Sequence, residues 1–369
     1  MAPALVLPRL VFGVGALARL PDELALLGVL RPLLIADRGL EAAGVVAKTR
    51  AAAPAFAAEF LDVPENPTAA GADAAAQAWR DGECDGIVAL GGGSVLDTAK
   101  IVAVLAALGG EAAALIGHPE RIARVAPLLA IPTTVGTGSE SSPVAALHLK
   151  AAGPPIGTRG PLLVPRVALC DPSLAQTLPR RLIAATGIDA LSHCIEGYFA
   201  EPANPVIDAL ALDGIARVVA DIHAALEPDG DAARGSLMAA AFAGGAAIHK
   251  GLGPAHAVAL VCGDQDAHHG TLIGIALPHT TRLLAHNLPV KAARLRTAMG
   301  LPEEADIGEA LADLVASLGL PTTLSEAGYR LSEPDEAIAA MASSPFNRSS
   351  PYAPTRDEYR AVVAEIAGT

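Results

Sequence analysis

Through the first half of the chain, short runs of aliphatic and β-branched residues alternate with alanine-rich stretches, and this alternation is the pattern of a parallel sheet covered by helices. The expected strands are residues 31–36, 58–63, 86–90, 128–131 and 167–170. Each ends in a turn signal: Asp37-Arg38-Gly39, Pro64-Glu65-Asn66-Pro67, Gly91-Gly92-Gly93, Pro132-Thr133-Thr134 and Asp171-Pro172. Ligands of open α/β sheets bind beyond the carboxyl ends of the strands, so these turns should line one binding face. After Leu178-Pro179 the text changes to amphipathic or buried helix broken by Gly, Pro and Asn. An α/β domain over residues 1–178 and an all-α domain over 179–369 are therefore expected, with the boundary at 176–180 and a surface loop at 345–354 before the last helix. No internal repeat is present.

At 369 residues and 52% hydrophobic, the chain has enough apolar residue for two cores. That content is dispersed alanine, and no window reaches the roughly 18 to 20 unbroken apolar residues of a membrane span. The opening run MAPALVLPRLVFGVGAL lacks a basic leader, apolar core and cleavage site, which points to the cytoplasm. A formal charge of −13 with 3% aromatic residues excludes a nucleic-acid partner, because phosphate backbones would be repelled and bases would find no stacking platform. Cys84, Cys170, Cys194 and Cys262 form no CxxC pair, so reduced structural thiols are expected in place of disulfides or a thiolate zinc site.

The run from Gly86 to Lys100 reads as a buried strand, three glycines and a helix. Glycines let backbone amides approach a pyrophosphate, and the positive end of the following helix favours its charge, so Gly92, Gly93 and Ser94 form a candidate dinucleotide cradle. The run is neither a P-loop nor GxGxxG, and an ordinary tight turn stays open on this motif alone. Asp37, at the end of the preceding strand, could accept from a ribose 2′-hydroxyl and repel a 2′-phosphate, favouring NAD over NADP; a simple Asp-Arg-Gly turn is the other reading.

Asp189 and His193 stand four apart in a helical stretch, which directs both at one point. A carboxylate and an imidazole in so apolar a stretch are costly unless paired or metal-bound. A second His-rich stretch supplies His256, His268 and His269. Three imidazoles and one carboxylate suit iron, zinc, manganese or nickel and hardly suit calcium, without choosing among the four.

Taken together the sequence resembles the iron-containing (group III) alcohol dehydrogenase family. The resemblance runs through Phe12-Gly13-Val14-Gly15, Asn66-Pro67-Thr68, the glycine turn to Lys100, Ile131-Pro132-Thr133-Thr134, Gly136-Thr137-Gly138-Ser139-Glu140, Asp171-Pro172, the stretch 187–196 and that from His256 to Gly270. It implies the dehydroquinate synthase-like fold: an α/β N-terminal dinucleotide-binding domain with a parallel sheet and an all-α C-terminal domain, with a metal between them. By motif position it makes Asp189, His193, His256 and His269 the metal ligands, ferrous iron foremost. Asn66, Gly92, Gly93, Ser94, Asp97, Thr133 and Thr134, with Asp37, become cofactor contacts. It also implies a homodimer formed through N-terminal strands.

Three departures qualify the resemblance. Relatives carry a histidine four residues after His256, where this chain has Leu260. The loop from Gly263 to His269 is one residue short, so His268 competes with His269 as fourth ligand, His269 being favoured because it precedes Gly270. No lysine stands in the stretch 153–159, where relatives place one on the cofactor. Lys250, beside His249 and three residues after Ala247, reads either as a cation in a roomier pocket for acidic substrates or as a surface lysine. The expected activity is metal-dependent, NAD(P)-linked reduction of a small aldehyde, acidic ones included, or oxidation of a primary alcohol, with His256, His269 and Lys250 as catalytic residues. Rival readings are a maleylacetate reductase-like enzyme, a dehydroquinate-synthase-like lyase and a silent NAD-binding protein.

Overall fold

A computed structural model of the chain describes residues 4–53, 55–150, 153–265 and 267–368. It divides into two compact units, one formed by Val6–Thr134 and Gly138–Leu178, the other running from Pro179 onward and including Val135–Thr137.

The α/β unit contains β1 (Arg9–Phe12), α1 (Leu20–Leu27), β2 (Pro32–Ile35), α2 (Arg38–Ala42), α3 (Val45–Ala52), β3 (Ala58–Phe60), α4 (Ala69–Asp81), β4 (Gly86–Gly91), α5 (Gly93–Leu108), β5 (Leu128–Pro132), β6 (Val144–Leu147), β7 (Ile156–Arg159) and β8 (Val167–Cys170). Six strands form one sheet in the order β1-β8-β5-β4-β2-β3, every neighbouring pair parallel. All five expected strands are present, β8 with the expected bounds and the others with one or both ends moved by at most three residues. The period-2 alternation of strand side chains builds a core on each face. Leu33, Ile35, Ile87, Ala89, Leu128 and Ala130 meet the alanines of α4 and the inner side of α5. Leu34, Val88, Leu90, Leu129, Ile131 and Leu169 meet residues of α1 and α3 on the other face. Burial on both faces is why β2, β4, β5 and β8 read as continuous apolar runs.

Two features were not expected from the sequence. Strand β1 lies on the sheet edge, with only Val11 less than well exposed, so its Arg-Leu-Val-Phe lacks the continuous apolar text of its neighbours. Strands β6 and β7 form an antiparallel hairpin outside the main sheet, four residues each, too short and too interrupted by Gly157 to declare themselves.

The helical unit contains α6 (Arg180–Phe199), α7 (Pro205–Ala225), α8 (Asp231–Ala247), α9 (Pro254–Val261), α10 (His269–Asn287), α11 (Pro289–Met299), α12 (Ile307–Ser317), α13 (Pro334–Ser343) and α14 (Arg356–Ile366), with a 3-10 turn at Pro345–Ser349. Helix α6 is buried without interruption from Ile183 to Phe199, packed by α7, α8 and α10, and so shows little amphipathic character. Among the described residues no helix is long and apolar enough to cross a membrane. All four cysteines are buried and unpaired.

Because Leu34 is fully buried between sheet and helix, Leu34→Ala is expected to lower the stability of the α/β unit by about 2–5 kcal/mol, read as an earlier urea transition by far-UV circular dichroism.

Candidate metal centre and nucleotide cradle

Within the buried α6 the polar exceptions follow a helical spacing: Asp189, His193 and Glu196, at i, i+4 and i+7, share one face. Two further elements meet that face. Helix α9 starts at Pro254 and carries His256 in its first turn, and α10 starts at His269 itself. Gly270 allows the second approach, since a Cβ there would stand 2.4 Å from the Ala185 carbonyl oxygen of α6.

Asp189, His256 and His269 each bring one ligand atom within 4.8 Å of the others. His269 Nε2 lies 3.8 Å from Asp189 Oδ1 and His193 Nε2 lies 3.6 Å from it. The His193 and His256 rings stack with centroids 4.9 Å apart, and His256 and His269 lie 5.5 Å apart. Asp189, His193 and His256 are buried, whereas the His269 side chain is 52% exposed. Burial and the neighbouring His256 push His193 down to about 3, so its imidazole is neutral near pH 7 and has a lone pair to offer. Burial pushes the Asp189 carboxyl up. Asp189 Oδ1 and His256 Nε2 are buried without a hydrogen-bond partner. Orphaned polar atoms of this kind are costly, and a nitrogen-rich donor set with one carboxylate fits a divalent first-row cation. The geometry gathers His269 into this group; His268 precedes it as the residue capping α10.

Glu196 was not singled out in the sequence, although its spacing from Asp189 and His193 was legible. Its carboxylate accepts from Gly253 N at 2.9 Å and Ala255 N at 2.6 Å, and His256 Nδ1 lies 2.6 Å from Oε2. Phe346, from the 3-10 turn, stands edge-on to His256 with ring centroids 5.8 Å apart.

In the α/β unit, β2, β4 and β5 are neighbours, so the turns that follow them lie side by side. Gly92 caps the sixteen-residue α5, whose first-turn amides have no partners within the helix. A Cβ at Gly92 would stand 2.9 Å from Thr134 Cγ2, and Thr134 Oγ1 is itself buried without a partner. Ser94 Oγ donates to the Glu65 carbonyl at 2.5 Å, tying the cradle to the turn that holds the exposed Asn66. Thr133 N donates to the Gly91 carbonyl. Asp37 Oδ1 accepts from Leu40 N and caps α2, so part of its capacity serves the Asp-Arg-Gly turn itself. Asp97, expected at the cofactor, accepts from Ser139 Oγ at 2.5 Å and Ala146 N at 2.8 Å, fixing the loop after β5 and the hairpin. Lys100 is buried beneath them, donating to the Ser142 and Val144 carbonyls at 3.1 and 2.6 Å, and burial pushes its ammonium down to about 8.

One reading of the pocket wall is corrected. Lys250 is neither a surface lysine nor a free cation: its side chain is 0% exposed, its Nζ donates to Asp208 Oδ1 at 2.5 Å and to the Tyr198 carbonyl at 3.1 Å. A lysine in apolar text needs a counter-ion, and Asp208 of α7 supplies it. Ala247 is buried against α6, where a Cβ on Gly197 would come within 2.6 Å of its side chain. Leu260 occupies the last turn of α9, half-buried.

The sequence profile described as iron-containing alcohol dehydrogenase matches residues 8–172, and that described as the C-terminal part of the Fe-containing alcohol dehydrogenase family matches residues 183–366. The chain belongs to the iron-containing alcohol dehydrogenase family. It is an oxidoreductase of the class acting on CH–OH groups. It is similar to a 4-hydroxybutyrate dehydrogenase of Cupriavidus necator, 39% identical over 95% of this chain and 96% of that protein. A maleylacetate reductase of Cupriavidus pinatubonensis is 30% identical over 88% of this chain and 85% of its own length. Among solved structures, a 1,3-propanediol oxidoreductase superposes with a TM-score of 0.91 at 26% identity, covering 99% of this chain and 100% of that one.

Because Lys250 is committed to Asp208 and the Tyr198 carbonyl, Lys250→Met leaves a buried carboxylate unpaired. It is expected to cost about 3–5 kcal/mol in urea unfolding while the KM for an acidic aldehyde stays within about twofold.

Proposed function

We propose that the enzyme reduces a small aldehyde bearing an acidic group to the corresponding primary alcohol, and runs the reverse oxidation, with NAD(H) and a divalent metal, iron foremost. The observation that carries this reading is the convergence of Asp189, His256 and His269 with His193 alongside, two of the donor atoms being buried and unanswered. The similarity to a 4-hydroxybutyrate dehydrogenase supports a substrate with a carboxylate at one end and a reacting carbon at the other. The similarity to a maleylacetate reductase keeps a keto-acid in the second place, and the full donor set favours the metal-dependent carbonyl reaction over it.

Asp189, His193, His256 and His269 would hold the metal, which when bound supplies Lewis acidity toward the substrate oxygen while NAD supplies or accepts the hydride. Asp189 contributes the negative charge that offsets the cation, and the neutral imidazoles contribute lone pairs. Phe346 gives the His256 side an apolar wall. The amides at Gly93 and Ser94 would take the pyrophosphate, with Gly92, Thr133 and Thr134 bounding it and Asn66 at the neighbouring turn. Asp97 serves from behind by fixing the loop. The free oxygen of Asp37 would accept from the ribose 2′-hydroxyl. Leu260 offers no proton acceptor, so the proton released in alcohol oxidation would leave through water and a ribose hydroxyl. Edge strand β1, with Leu10 and Phe12 exposed and its outer side unpaired among the described residues, would join a second copy in a homodimer.

The decisive assay is NADH oxidation by anaerobically purified protein against a panel of small aldehydes, with ferrous iron, with zinc and after chelation. Activity with succinic semialdehyde that chelation abolishes and one metal restores is the expected result; NADH binding with no aldehyde reduced under any metal would remove the reading. Asp37→Ser is expected to shift the kcat/KM ratio toward NADPH. Leu260→His is expected to add a limb to the pH–rate profile of alcohol oxidation centred near about 6.5, absent from the parent enzyme.

A further inference from the structure

We infer that Glu196 is a positioning residue: it holds His256 in the one tautomer that can bind a metal, and it does so by using the first turn of α9 as a fixed reference. The inference rests on the metal-centre reading above and assigns that centre a fifth side chain.

Glu196 is 2% exposed, so its carboxylate must be answered by hydrogen bonds. Two of them come from backbone amides, Gly253 N to Oε2 and Ala255 N to Oε1, which can only donate. These amides open helix α9 and point at the carboxylate. Both oxygens are thereby fixed as acceptors. The remaining partner, His256 Nδ1 at 2.6 Å from Oε2, must then carry the proton. In a neutral imidazole this leaves the lone pair on Nε2, the nitrogen that is buried and without a partner. The contact is built into the chain from both sides. Glu196 shares a helix face with Asp189 and His193, and a Cβ at Gly253 would stand 2.9 Å from Glu196 Oε1, so any larger residue there would push the carboxylate from its place. A carboxylate behind a ligating imidazole also raises its basicity.

Glutamine tests this, because it cannot reproduce three acceptor contacts. With its carbonyl on Ala255 N, its NH2 faces Gly253 N and His256 Nδ1, and the imidazole proton is driven to Nε2. The experiment uses full-length protein labelled with 15N in histidine, freed of metal, and compares the parent with Glu196→Gln and Glu196→Asp. Long-range 15N–1H spectra at neutral pH read the His256 tautomer, competition against a chromophoric chelator reads zinc affinity, and the cobalt-loaded visible spectrum reads the ligand field. The parent is expected to carry the proton on Nδ1. Glu196→Gln is expected to move it to Nε2, weaken zinc about 10–100-fold and change the cobalt spectrum, with NADH affinity retained. Glu196→Asp is expected to fall between the two.

A glutamine variant with the parent's tautomer and zinc affinity would reduce Glu196 to a helix cap and overturn the inference. Should that variant fail to fold, Gly253→Ala displaces the carboxylate while leaving it in the chain; the same tautomer shift supports the inference, and an unchanged tautomer and zinc affinity overturn it. If the parent protein binds no metal, the proposed function fails, whereas the tautomer in the metal-free protein still decides the role of Glu196.

Discussion

Helix α6 is enclosed along seventeen successive residues, and a charged side chain in a helix so enclosed is costly unless a neighbouring element or a bound ligand answers it. The rest of the helical unit can be understood as the set of answers. The first turn of α9 meets Glu196, the start of α10 brings His269 to Asp189, and Asp208 of α7 takes Lys250 below the C-terminal end of α6. The packing also shows why small residues crowd these contacts. Gly270 lies against the Ala185 carbonyl and Gly253 against the Glu196 carboxylate, each at a distance that a Cβ would occupy. Side-chain chemistry and helix spacing are thus set by the same residues.

Much of this arrangement could be read in the sequence because it obeys local rules. The four central strands β2, β4, β5 and β8 announced themselves as apolar runs closed by Gly, Pro or Asp, since burial on both faces removes any polar alternation. The glycine turn and the pair Asp189 and His193 were visible because their spacing is fixed within one element. What escaped was non-local or weakly patterned. Edge strand β1 is mostly exposed, and the β6–β7 hairpin owes its existence to packing on α5, so neither has a sequence period of its own.

Charged residues were harder to read than apolar ones. Lys250 and Lys100 both stand in apolar text; Lys250 meets Asp208, far away in the chain, while Lys100 lies 3.7 Å from the carboxylate of Asp97 in its own helix and also donates to the distant carbonyls of Ser142 and Val144. No local spacing could have paired Lys250 with Asp208. Asp97 shows the same limit from the other side: its position in the glycine motif suggests a ligand contact, while its oxygens hold Ser139 and Ala146. Glu196 was the reverse case, a residue whose spacing was available but whose meaning depended on where α9 begins.

The unequal burial of the four candidate donors has a kinetic meaning. Asp189, His193 and His256 are set in the interior, while His269 sits half-exposed on the first residue of its helix. A cage of this kind has three fixed walls and one door. An ion would be captured by a preformed recess and then latched, and its escape would be timed by the excursion of a single imidazole, with no need for the surrounding helices to part. In such a centre the identity of the resident ion would follow supply in the cell as much as intrinsic affinity.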